Sequence, residues 1–188
     1  MFDSAASEAW IGDVLDFWFD ELGRSKWFVK SEAVDREIRD RFLLLYEVLS
    51  TWPAEDAWAS ADRALATVLV LDQFSRNMFR DTPQAFATDA LAREVAAGAI
   101  ARGLDDELAG ADRRAFLYMP FEHSEDLADQ QRAVELISGL GDEEYTRFAI
   151  AHKDVIARFG RFPHRNGILD RPSTPEEQAF LAQPGSSF

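Results

Sequence analysis

Apolar residues recur along the chain with a period near 3.6, the spacing of one face of an α-helix. In SEAWIGDVLDFWF they fall on Trp10, Val14, Phe17 and Trp18. In SEAVDREIRDRFLLLYEVLS the stripe is Val34, Ile38, Phe42, Leu45 and Leu49, with charges on the opposite face and Ser31 as N-cap. A third helix is expected from about Ser60 to about Phe79. Its middle, ALATVLVL, is apolar all round, which suits a helix at the centre of the molecule.

Capping residues divide the rest. Thr82-Pro83 reads as N-cap and first helical position, and Gly103 ends that helix. A short helix from about Asp112 to Tyr118 should stop at Pro120. Ser124 should cap a helix to about Leu140, and Asp142 one to about Phe159. Thr174-Pro175-Glu176-Glu177 is a capping box opening a last short helix, and residues 183–188 should fray. No segment alternates like a strand. Short connections make successive helices antiparallel hairpins. The expectation is one all-α domain over residues 1–188, built of stacked helical hairpins like an irregular α-solenoid or bundle. No clean repeat appears at the 34-residue tetratricopeptide period.

Composition narrows the function classes. The formal charge of −14 repels phosphate, which argues against nonspecific nucleic-acid or anionic-membrane binding. With no cysteine there is no disulfide, no thiolate nucleophile and no cysteine metal ligand. MFDSAASEAW lacks the basic and apolar regions of a secretory signal, and Ala64–Leu71 is too short an apolar run to span a bilayer. A cytoplasmic location is expected, and the sequence sets no oligomeric state.

Three segments put polar groups where apolar ones would serve. In LDQFSRNMFRDTP, Asp72 and Arg76 share a helix face at i and i+4, and so do Gln73 and Asn77. In YMPFEHSEDLADQQ, Ser124, Glu125 and Asp126 suit a helix start, whereas Glu122 and His123 precede it and read as an acid/base pair. In AIAHKDVIARFGRFPHRN, His152 lies on an apolar stripe with Phe148, Val155, Ile156 and Phe159, and needs a partner such as Glu122. Gly160 and Pro163 end that helix, Arg158 complements its dipole, and Arg161, His164, Arg165 and Asn166 follow with no local role. No two of the three histidines are spaced for a shared metal, so no metal and no cofactor are expected.

These segments, with ILDRPSTPEEQAFL, resemble the bacterial domain-of-unknown-function 924 family over nearly the whole chain. The resemblance implies an all-α fold of the tetratricopeptide-like superfamily, and no reaction. It places the signature at Asp72, Gln73, Arg76 and Asn77; at Glu122, His123 and Glu125; and at Arg161, Pro163, His164, Arg165 and Asn166. Asp170 departs from it, standing where glycine is expected before the arginine.

Three readings of function stay open. One is a small anionic metabolite, bound by Asp72, Gln73, Arg76, Asn77, Arg161, His164, Arg165 and Asn166, with acid/base or hydrolytic chemistry by Glu122, His123 and His152. A second is a peptide- or protein-binding helical module. In a third, the arginines pair with Asp72, Glu122 and Glu125 and only hold the hairpins in register.

Overall fold

The longest apolar stretch of the sequence lies, as expected, at the centre of the fold. The computed structural model describes residues 8–186. Among them the regular structure is entirely helical. Helix α3 (Ala61–Val68), a π-helical stretch (Leu69–Phe74) and α4 (Ser75–Met78) form one continuous rod in which residues 64–75 are all buried. Ser60 caps it, accepting the Arg63 N–H at 3.2 Å.

Around this rod pack the amphipathic helices. Helix α1 (Ala9–Leu15) runs into a second π-helical stretch, Asp16–Leu22. That stretch buries Phe17 and Trp18 against Phe42, Phe74 and Phe116, with ring centroids 5.3 to 5.9 Å apart. Helix α2 (Glu32–Leu49) is capped by Ser31 and buries Ile38, Phe42, Tyr46 and Leu49. Burying an aromatic or large aliphatic side chain stabilises by roughly 1.5–3 kcal/mol, so this aromatic cluster dominates the core. Helices α5 (Asp89–Ala101), α6 (Ala111–Glu122), α7 (Leu127–Ser138) and α8 (Glu143–Phe159) follow, each packed on the next. Helix α9 (Pro175–Leu181) opens with the expected capping box at Thr174 and Glu177.

Several boundaries differ from the sequence reading. Helix α6 does not stop before Pro120; it runs to Glu122 with the proline inside. A proline lacks one backbone donor and crowds the preceding turn. Here residues 115–122 are all buried, and tertiary packing holds the last turn together. Ser124 does not cap α7. Asp126 does, accepting from Ala128 N and Asp129 N, while the Ser124 hydroxyl donates to Asp129 at 2.6 Å. The helix expected from Thr82 is two elements, a 3-10 turn over Pro83–Phe86 and then α5. Thr82 donates its hydroxyl to Phe79 O at 2.7 Å instead of capping. Phe148 is 42% exposed and lies off the stripe expected with His152; Tyr145 and Ala149 are buried in its place. Of the tail expected to fray, Ser186 is buried and donates to Leu181 O at 3.1 Å. Residues 1–7 and 187–188 lie outside the described residues. Among those described, no helix is long and apolar enough to cross a membrane.

Candidate functional site

The centre of the candidate site is a carboxylate with no solvent access. Asp72 sits in the π-helical stretch of the rod, where the wider turn breaks the 3.6-residue register. His123 follows the last residue of α6. Its Nδ1 lies 2.8 and 2.9 Å from the two Asp72 oxygens. Gln73 donates to the same carboxylate at 2.7 Å. Burial by itself would raise the Asp72 carboxyl, but the Arg76 and His123 beside it outweigh that and hold it well below the usual carboxylate range. An ionised carboxylate only accepts, so the His123 Nδ1 carries the hydrogen. Burial, reinforced by Arg76 and opposed by Asp72, holds the His123 pKa below its ordinary value. The neutral ring therefore leaves Nε2 as the basic nitrogen.

Two guanidinium groups flank this pair. Arg76 lies 3.2 Å from Asp72, donates to the Asp72 carbonyl at 2.6 Å, and forks onto Asp89 at 2.9 and 3.0 Å. Asp89 is the first residue of α5. Arg165 comes from the 3-10 turn Pro163–Arg165, and its guanidinium lies 4.6 Å from the Phe86 and Phe162 ring centroids. It donates to His123 O at 3.0 Å and reaches Asp89 at 3.4 Å. Its Nε is buried and has no acceptor among the described residues. Burial, followed by Arg76, pushes the Arg165 pKa down to about 10, still a cation at neutral pH.

A second carboxylate–imidazole pair adjoins the first. His152 Nδ1 lies 2.9 Å from Glu122 Oε1 and 2.9 Å from the carbonyl of Phe148, and the carbonyl requires a hydrogen on that nitrogen too. The His123 and His152 rings are 6.2 Å apart. Phe162 contacts both His152 and His164, at 5.6 and 5.5 Å, so all three histidines of the chain share one cluster. Burial, and then Arg165, push the His164 pKa down to about 3. Asp72 is fully buried, whereas the side chains of His123 and Arg76 keep 16% and 21% of their surface accessible. Solvent therefore reaches the cluster at His123 and Arg76.

The structure thus gathers Asp72, Gln73, Arg76, Glu122, His123, His152, His164 and Arg165. It does not bring in the other three residues of the sequence reading. Asn77 faces α2 and donates to Asp35 at 2.7 Å, beside the Arg80 fork on the same carboxylate. Arg161 forks onto Glu177 at 2.6 and 2.9 Å. Asn166 braces its own loop, donating to Ser173 and accepting from Arg171 at 3.1 Å each. The partners expected for a structural network also change. Glu125 pairs with Arg171 at 2.7 and 3.0 Å and accepts the Phe162 N–H at 2.8 Å. The reason is that Gly160, in the left-handed region at φ 68°, turns the chain so that Arg161 faces α9. Asp89 and Arg171 are absent from the sequence reading. Asp89 fell inside the helix expected from Thr82 and carried no signal there, and nothing within a turn of Arg171 marks its partner. Among the described residues, no group of three or more His, Cys, Asp or Glu is placed to hold a metal ion.

A family model described as a bacterial protein of unknown function (DUF924) matches residues 14–185. Among solved structures, the protein of unknown function ATU0120 from Agrobacterium tumefaciens is similar at 45% identity and a TM-score of 0.88, over 96% of this chain and 99% of that one. No curated protein matches.

Proposed function

The chain belongs to the DUF924 family of bacterial proteins of unknown function, and from that starting point we propose that the Asp72–His123 pair is a general base serving a small anion-bearing metabolite. The observation that carries this reading is the pair of contacts, 2.8 and 2.9 Å, between one imidazole nitrogen and both Asp72 oxygens. The carboxylate fixes the tautomer and orients the ring, leaving Nε2 to take a proton. Arg76 and Arg165 supply the positive charge, and the unmatched Nε of Arg165 has a donor to offer an oxyanion. Glu122 and His152 stand next to that base. The chemistry that suits these groups is proton transfer, hydrolysis being its simplest form.

The test is a thermal-shift screen of anionic metabolites on the wild type, His123→Gln and Arg165→Lys. A supporting result is a wild-type stabilisation that rises with ligand concentration, is lost in Arg165→Lys and survives in His123→Gln without turnover. No wild-type hit, or hits indifferent to Arg165, overturns it.

A specific observation favours a second reading, in which the cluster only joins helices. Arg76 already has two carboxylates, Asp72 and Asp89. On that reading Arg165→Lys lowers the unfolding midpoint and alters no ligand response.

A further inference from the structure

One half of the first polar segment takes no part in the Asp72–His123 cluster. Asn77 and Arg80 extend from the end of the central rod toward α2. There, with Glu32, Asp35, Arg36, Arg39 and Met78, they line a surface depression of about 340 Å³. That volume suits a small metabolite.

The charges of this depression do not cancel. Asp35 is saturated by three donors, Asn77 at 2.7 Å and the Arg80 fork at 2.7 Å on each arm. Its carboxyl is held below the ordinary range because Arg80 and Asn77 outweigh the effect of burial. One cation and one anion are thereby spent on each other. Arg36 and Arg39 remain, one helical turn apart on α2. Neither has a carboxylate within ion-pair distance among the described residues. Arg39 is steadied by the Phe79 ring, 5.3 Å from its guanidinium. Glu32 is the sole lining carboxylate left to oppose two guanidinium groups. Most arginines of this acidic chain have a carboxylate partner; Arg36 and Arg39 have none among the described residues and line the same shallow depression.

We propose that this depression between α2 and the end of the central rod is a second binding site, separate from the Asp72–His123 cluster, that takes a small oxyanion such as a phosphate group. Arg36 and Arg39 hold the anion, and the Asp35–Asn77–Arg80 clamp fixes the wall beside it. Planar guanidinium forks bind phosphate and carboxylate oxygens in pairs, whereas a lysine offers only a point charge. The proposal does not depend on the general-base reading of His123.

The experiment is a titration of the ¹⁵N-labelled protein with inorganic phosphate at constant ionic strength, chloride replacing phosphate in the control. Saturable amide shifts confined to residues 32–39 and 77–80 are expected in the wild type. They should vanish in Arg36→Gln/Arg39→Gln and weaken in Arg36→Lys/Arg39→Lys. Arg36 and Arg39 are both exposed, so the variant spectra should otherwise overlay the wild type. Shifts that stay linear, that match the chloride control, that survive in the Gln variant, or that appear only around residues 72, 123 and 165 overturn the proposal.

Discussion

At His164 the fold holds an imidazole where a proton is unwelcome. Burial, and then Arg165 beside it, push its pKa down to about 3, against 6.5 for a free histidine. Between those values the unfolded chain binds the proton and the folded one does not. Stability is therefore complete above about pH 6.5 and falls as the pH drops toward 3, at up to about 1.4 kcal/mol per pH unit for one proton. His123 has a depressed pKa as well and adds in the same direction. Urea unfolding at pH 7.5 and 5.5 should show this slope in the wild type and a shallower one in His164→Gln; equal slopes would assign the loss to other groups. Asp170 is a second residue whose role the backbone explains. It has φ 53°, in the left-handed region that favours glycine, which accounts for the glycine expected there from the family resemblance. Asp170→Gly should leave the unfolding midpoint unchanged or raise it, while Asp170→Val should cost about 1–2 kcal/mol.

Gly98 shows how one element is fitted to another. It lies within α5 under the Trp58 indole, and a Cβ there would sit 2.1 Å from the ring. The indole is fixed by its donation to Val95 O at 3.0 Å and by Arg102, 3.8 Å from the ring centroid. Ordinarily glycine in a helix is destabilising relative to alanine, but here Gly98→Ala must displace the tryptophan. It should cost about 1–3 kcal/mol, with a red-shifted tryptophan emission as the check. The elements themselves were largely legible in the sequence. Ser31, Asp142, Gly160 and Thr174 act as the caps or terminators expected of them, because capping depends on neighbours within four residues. Pro120 and the π-helical stretches were not legible. Pro120 and the central π-helical stretch persist because packing surrounds them, and packing is not encoded within a turn of the residue.

Across the whole molecule, ion pairs tie the C-terminal segment back to the helical body. Arg171 bridges Glu125, at the start of α7, to Asn166 and the Phe162 carbonyl. Glu125 also accepts the Phe162 N–H, and Phe162 packs on His152 and Arg165. Cutting this tie should loosen the segment that carries His164 and Arg165 before it affects the central rod. Arg171→Ala is expected to lose about 1.5–3 kcal/mol, the range for hydrogen bonds to a charged group. Amide exchange should quicken over residues 160–181 and stay slow over residues 64–75. Uniform acceleration would mean the segment and the rod unfold as one unit.

What the sequence by itself determined is local: an all-helical chain, its buried central helix, most of its caps, and three polar segments of interest. Those follow from periodicity and from hydrogen bonds that close within a few residues. Only the tertiary structure decided which acid each base takes. Asp89 rather than Asp72 takes the Arg76 fork, Glu177 takes Arg161, Arg171 takes Glu125, and Asn77 turns to the opposite face toward Asp35. These partners lie 13 to 46 residues apart along the chain. Pairs so separated are chosen by the direction in which each helix leaves its neighbour and by the rotation of the rod through its π-helical stretch, and no local pattern of residues records either.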